Sequence, residues 1–366
     1  MAEALFSEFL KPLVSYLSED ELALRVINEL GVVGLVSGFR GFRGVLSFSC
    51  RDDICRFEEG YCPYYVLAGA YAMGVFRDLL MISARASSRR VVSSEAFGVI
   101  LDDLPYLVPY GLYDNVVYVP SADTPENRLL KFILESARRC IKSSKCGSLT
   151  TGWLGSELDF VLSNTWISTV SLDRYDEFDL SELRFRYPYL HSPYDVLLNL
   201  VGYGALGEYG IDYLYRLFEV YVLSLIVNGI KHRLGDNAMI DHNDASLLTI
   251  RLGNVDVHYQ MDVDKKCAGS GFRCRVADIV VEVNGEVRCI VEVKLSGYPE
   301  YIRDGARQVM DYVRSCGGKP RPVLVYYGSQ LYREYGECYG DVELVQLSMN
   351  KGRDLELLGE LCFLRP

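Results

Sequence analysis

A chain of 366 residues with 49% hydrophobic and 24% charged residues is long enough for two or three domains with sizeable cores, which excludes a disordered or fibrous protein. Its net charge of −11 excludes indiscriminate binding to nucleic acid, so any contact with DNA has to use local basic patches or a basic partner. No apolar run approaches the ~20 residues of a membrane span and the first residues lack a basic-then-apolar signal segment, so a cytoplasmic protein with no membrane partner is expected.

Residues 1–30 read as helical, with Ser18-Glu19-Asp20-Glu21 in the form of a capping box and Gly31 as a stop. A glycine-rich span, 31–44, precedes a strand expected at 45–49. Tyr64 to Ser83 is apolar nearly all round, the mark of a buried helix. Val91 to Pro120 reads as short strands broken at Pro105, Pro109 and Pro120. No chemistry is visible in 1–123, which is expected to be a mixed α/β module for binding or assembly.

The eleven cysteines form no CxxC pair and no Cys/His cluster of zinc type. Buried thiols are the default expectation, with Cys140/Cys146 and Cys267/Cys274 as disulfide candidates for a hyperthermophilic source.

Thr124-Pro125-Glu126-Asn127-Arg128 combines an N-cap, a proline at the first helical position and an acidic first turn, and opens a helix through about Lys142. Six basic residues (Arg128, Lys131, Arg138, Arg139, Lys142, Lys145) outnumber Glu126 and Glu135 over 124–146, whereas 147–200 is acidic. A solvated helix face beside an acidic loop is expected rather than direct contact with DNA. Ser192-Pro193 starts a further helix that ends near the glycines at 202–210, so 124–208 is a helical middle region.

The remaining 209–366 alternates helix and strands in the order of a mixed sheet with flanking helices, an α/β (α+β) fold. The segment 212–230 is a helix in which Glu219 is the one ionisable group beyond tyrosine between Leu217 and Val227. Such a carboxylate must face solvent, find a partner or bind a metal. Strands follow at Leu247–Leu252 and Val255–Val263, then a basic loop with Lys265, Lys266, Arg273 and Arg275. Val276 to Ser296 is a hairpin of two β-branched runs joined at Asn284-Gly285. A strict two-residue turn sends Asp278 and Glu292 to opposite faces; one extra residue, such as a bulge at Gly285, puts Asp278, Glu292 and Lys294 on one face. The bulge is expected. An amphipathic helix from Tyr301 to Cys316, carrying Gln308 and Tyr312 on one flank and Arg303, Arg307 and Arg314 on the other, precedes strands at Val323–Tyr327 and Val342–Leu347.

Ala277-Asp278 followed by Glu292-Val293-Lys294 resembles the PD-(D/E)XK nuclease superfamily, and Gln308-x-x-x-Tyr312 resembles the element after the catalytic lysine in its RecB-like members. With TPENRLLKFIL at 124–134 and LYRLFEVYV at 214–222, residues 120–330 resemble McrC, the nuclease subunit of McrBC-type modification-dependent restriction systems. The chain departs from that pattern at Glu292, where relatives commonly have Asp, and residues 1–120 match nothing in it. The resemblance implies a Mg²⁺-dependent DNA endonuclease, with Mn²⁺ as an alternative ion. Glu219, Asp278 and Glu292 would hold the metal, Lys294 would position water, and Gln308 and Tyr312 would support the substrate strand. Arg303, Arg307, Lys265, Lys266 and Arg273 are the expected DNA contacts. The resemblance also implies a companion McrB-like AAA+ GTPase. A stand-alone repair or junction nuclease and a catalytically silent DNA-binding or assembly module are the alternatives.

Overall fold

The computed structural model describes residues 2–37, 50–51, 53–79, 85–93, 99–100, 113–143, 152–181, 183, 197–198, 200, 210–235, 237–243, 245–268, 275–328 and 341–361. The strand expected at 45–49, the breaks at Pro105 and Pro109, the helix start at Ser192-Pro193, and Cys146, Arg273 and Cys274 lie outside them.

The first helical segment is two helices, α1 (Ala2–Glu19) and α2 (Glu21–Ser37). Asp20 caps the second, its Oδ1 accepting from Ala23 N at 2.8 Å, while Ser18 bonds back to Ser15 O within α1. Gly31 does not stop α2. A Cβ there would stand 2.3 Å from Tyr71 O on α3 (Cys62–Leu79), so the glycine permits a close helix crossing rather than a chain reversal. Short strands β1 (Cys50–Arg51) and β2 (Ile54–Arg56) pair antiparallel, and β3 (Arg85–Ser93), β4 (Val99–Ile100) and β5 (Tyr113–Ser121) form an antiparallel sheet in the order β3-β5-β4. Pro120 does not break the strand as expected: β5 runs on to Ser121, with Pro120 opposite Ala86 one residue from its end.

Helix α4 (Pro125–Lys142) begins as its sequence dictates: Thr124 accepts from Asn127 N and Pro125 occupies the first turn. Its basic residues form a solvated face only toward its end, where Lys142 is exposed, and the others are partly or fully buried, which corrects the sequence reading in part. Lys131 is buried and donates to Ser168 O and Val170 O, Arg138 pairs with Glu135, Lys142 pairs with Asp159, and Arg128 pairs with Asp123. The stretch that follows folds back onto the helix through α5 (Gly152–Asn164), whose Asp159 meets Arg138 and Lys142, and runs on to β6 (Glu177–Asp179), which pairs with β2.

Helix α6 (Gly210–Leu234) leads into a seven-stranded sheet: β7 (Met239–Asn243), β8 (Ser246–Leu252), β9 (Val255–Asp262), β10 (Val276–Val283), β11 (Glu286–Lys294), then α7 (Pro299–Ser315), β12 (Arg321–Tyr327), β13 (Glu343–Leu347) and α8 (Lys351–Leu361). The strands lie in sequence order; β7 to β11 pair antiparallel, β12 runs parallel to β11 because α7 carries the chain across, and β13 runs parallel to β12. The fold is therefore α+β, a mixed sheet with flanking helices. Strand β7 and α8 have no sequence counterpart above. Strand β7 is an edge, largely exposed, with no alternation to betray it.

The hairpin carries its extra residue, but not at the turn. Asn284 and Gly285, at φ 53° and 80°, make a tight two-residue turn with Val283 opposite Glu286. The register then shifts between Glu282↔Val287 and Val281↔Cys289, leaving Arg288 as the bulged residue and bringing 278 opposite 292. Ile279, Val281, Cys289, Val291 and Val293 thereby join the core that holds Leu217, Phe218 and Tyr221 of α6, while Val280, Ile290 and Leu324 pack under Ile302, Ala306 and Val309 of α7. Helix α1 packs on the first of these cores, with Phe9 against Phe218 and Tyr327.

Cys62 pairs with Cys140, joining α3 to α4, and Cys267 with Cys316, joining the chain after β9 to the end of α7. The partners expected from sequence proximity were wrong, because the pairing follows the packing of elements 78 and 49 residues apart. Loops of that size imply about 4 kcal/mol of stabilisation from each bridge. Melting the chain with and without a reducing agent should show a lowered Tm on reduction, and Cys62→Ser should reproduce part of it.

Candidate active site

Two helices on opposite faces of the sheet bring polar residues to one end of β9, β10 and β11. The bulge aligns Asp278 with Glu292 on the face that carries Ile290 and Leu324, and Lys294 follows two residues on. Asp278 accepts from Val293 N at 2.8 Å through one oxygen and from Gln260 Nε2 at 2.9 Å through the other. Lys294 Nζ donates to Glu292 Oε1 at 2.6 Å and to Gln308 Oε1 at 2.8 Å. Its stem has room because α7 places Gly305 above it: a Cβ there would meet Lys294 Cγ and Cε at 3.1 Å and Leu324 Cδ1 at 2.8 Å.

Glu219 reaches the cluster from α6. Its Oε2 accepts from Arg216 Nη1 (2.8 Å), Tyr259 OH (2.8 Å) and Gln260 Nε2 (3.0 Å). Gln260 thus links Glu219 to Asp278 by donating to both. It does so at φ 50°, a left-handed conformation that glutamine rarely takes and that costs on the order of 1–3 kcal/mol. The kink reverses the alternation of β9, since Tyr259 points to the α6 core and Met261 to the α7 core. Gln260 escaped the sequence reading. Its signal was a lone amide between Tyr259 and Met261, legible only once β9 is known to lie opposite Asp278.

The carboxylates do not share this space comfortably. Burial, then the charge of Asp278, pushes Glu219 up to about 7 against the opposing pull of Arg216. Burial and Asp278 push Glu292 up to about 8 against Lys294. Burial also raises Asp278, although Val293 N–H and Lys294 pull it down. Burial alone would lower the Lys294 ammonium, but Glu292, Asp278 and Glu219 together raise it. Glu292 Oε2 is buried with no hydrogen-bond partner. The donor set is all oxygen, with excess negative charge and one orphaned carboxylate oxygen, the chemistry of a hard dication such as Mg²⁺, or Mn²⁺, although the oxygens of Glu219, Asp278 and Glu292 do not all lie within 4.8 Å of one another.

Of the other sequence-predicted residues, Tyr312 spends its hydroxyl on Val276 O at 3.1 Å, fastening α7 to the start of β10, within reach of the charges of Glu292 and Asp278. Arg303 and Arg307 are exposed on α7, Arg307 standing 3.7 Å from Asp304. Lys265 and Lys266 are both exposed, and Lys266 is paired with Glu282, away from the cluster.

No family model matches the chain, and no curated protein matches it. Among solved structures the chain is similar to one in a complex described as a refined half-complex from the tetradecameric assembly of Thermococcus gammatolerans McrB AAA+ hexamers with bound McrC. The identity is 12% and the TM-score 0.32, over 91% of this chain and 74% of that one, a likeness too loose to carry an argument about fold or activity. No described helix is long and apolar enough to cross a membrane.

Proposed function

We propose that this chain is a metal-dependent DNA endonuclease, hydrolysing phosphodiester bonds as the cleavage subunit of a McrBC-like system. The observation that carries this reading is the convergence of Asp278, Glu292 and Glu219 beside Lys294, with Glu292 Oε2 left without a partner. Glu219, Asp278 and Glu292 would hold Mg²⁺. When bound, that ion supplies Lewis-acid polarisation of a phosphoryl oxygen and lowers the pKa of water. Lys294, fixed between Glu292 and Gln308, is aimed to orient the attacking water and to offset charge on the phosphate. Gln260 holds the two acidic arms at a set spacing, and Tyr312 holds α7 against β10 so that Gln308 stays in reach of Lys294. Arg303, Arg307 and Lys265 are exposed cations for the DNA backbone. The dependence on an AAA+ GTPase rests on the McrC-like segments, which lie on α4 and α6.

The test is cleavage of plasmid DNA by the purified chain with Mg²⁺, Mn²⁺ or chelator, alone and with a McrB-like GTPase. Cleavage that needs both ion and GTPase supports the restriction reading, and ion-dependent cleavage by the chain alone favours a stand-alone nuclease. Absence of cleavage under every condition would leave a silent module. Gln260→Gly separates positioning from folding: glycine takes φ 50° without strain, so Tm should stay level or rise, while cleavage should fall by about tenfold or more through loss of the bridge.

A further inference from the structure

Four residues along β10 from Asp278, a second polar cluster lies about 13 Å away on the same sheet face. Asp256 and His258 of β9 face Glu282 of β10, and one ligand atom from each lies within 4.8 Å of the other two. His258 and Glu282 are 3% and 2% exposed, whereas Asp256 is half-buried. Asp256 stands directly opposite Glu282 in the register, a pairing of like charges that a sheet avoids unless something lies between them. Arg251 is 3.7 Å from Asp256 and also pairs with Asp241. Lys266 Nζ sits 2.8 Å from both oxygens of Glu282, but its hydrogen bond goes to Oε2, and Oε1 has none.

The hydrogen bonds behind the cluster fix the imidazole tautomer. Asn243 Oδ1 accepts from Ala245 N, Ser246 N and Ser246 Oγ, which spends the Ser246 proton. In the 2.9 Å contact between Ser246 Oγ and Thr249 Oγ1, Thr249 must then donate, and Thr249 also accepts from Asn243 Nδ2. With its one proton committed, Thr249 can only accept from His258 Nδ1, 2.9 Å away. The neutral ring therefore presents a bare Nε2 lone pair, which has no hydrogen-bond partner, toward Glu282 Oε1 at 3.4 Å. Two lone pairs repel at that distance; Lys266 offsets the charge of Glu282, but nothing it offers reaches the lone pair of His258 Nε2. Two ligands each about 2.1 Å from one ion, at a tetrahedral angle, are about 3.4 Å apart. An imidazole whose far nitrogen is held by a hydroxyl behind it is also the usual setting of a metal-bound histidine.

We propose that Asp256, His258 and Glu282 bind one transition-metal dication, Zn²⁺ being the best match to an imidazole with two carboxylates. The nitrogen donor distinguishes this site from the all-oxygen cluster around Asp278, which suits Mg²⁺. The ion would join β9 to β10 and offset their opposed acids, leaving its fourth position to water. Lys266 is the competing cation.

The test is titration of the chelator-stripped full chain with Zn²⁺ against a chromophoric chelator, in a large excess of Mg²⁺. One Zn²⁺ per chain should bind, and Asp278→Ala should bind it equally well. Asp256→Asn, which acts at the exposed side and spares the core, should weaken binding at least tenfold, as should His258→Ala if it folds. Lys266→Met should tighten it. No Zn²⁺ bound in excess Mg²⁺, or wild-type affinity in Asp256→Asn, would overturn the site and leave His258 as an imidazolium paired with Glu282.

Discussion

Asp278→Ala, Glu292→Ala and Lys294→Ala are each expected to reduce Mg²⁺-dependent cleavage by at least a hundred- to a thousand-fold, on the order of what removing one preorganised charge contact costs an enzyme. The three act on different terms. Asp278 is held by Val293 N and Gln260, so its loss removes a ligand and frees the amide that spans to Glu219. Glu292 contributes the one buried oxygen of the cluster that no protein group satisfies. Lys294 is an ammonium among acids, and its removal takes away the cation that Glu292 holds at 2.6 Å. Since the acids repel one another when no ion is present, Asp278→Ala and Glu292→Ala should melt at or above the wild-type temperature in chelator. A single-turnover cleavage assay beside thermal melts would separate the effects. A pure, folded variant that cleaves at the wild-type rate would remove its residue from the site.

How far the sequence could carry this reading is visible in the hairpin. The Asn284-Gly285 turn, the strand pair and the requirement for one extra residue all follow from periodicity, because the face a strand buries is fixed by parity. Where the extra residue sits does not follow from parity. Arg288 takes it, inside β11, and nothing in the string EVRCIV distinguishes it from its neighbours. Gln260 was invisible for a related reason: its importance lies in a register and a kink, not in a motif. The charges of α4 misled because composition counts charge but not the partners that folding brings to it, Asp159 for Lys142 and two backbone carbonyls for Lys131. The cysteine pairs misled in the same way, since close spacing in sequence says little about which helices lie side by side. Local chemistry was legible at Thr124-Pro125 and at the turn, where the signal and its structural consequence occupy the same few residues.

Glu219 gives a stability signature that needs no nuclease assay. Burial and Asp278 hold its folded pKa at about 7 and that of Glu292 at about 8, against an ordinary 4.5. Between that ordinary value and about 8 the folded chain binds more protons than the unfolded one, so stability of the metal-free protein falls as pH rises through the window and the loss is complete above it. The decline across the window is on the order of a few kcal/mol for the cluster as a whole. A bound dication favours the ionised carboxylates, so Mg²⁺ should raise Tm most at the alkaline end of the window and least at its acid end. Glu219→Gln keeps an oxygen for Tyr259 and Arg216 but cannot ionise. Melts in chelator should then show a shallower decline with pH, and the rise in Tm on adding Mg²⁺ should shrink. An unchanged pH slope together with an unchanged Mg²⁺ response would remove Glu219 from the metal site. Lower stability at every pH with the full Mg²⁺ response would instead assign it to the ion pair with Arg216, whose guanidinium is partly exposed and loses a charged partner in the variant.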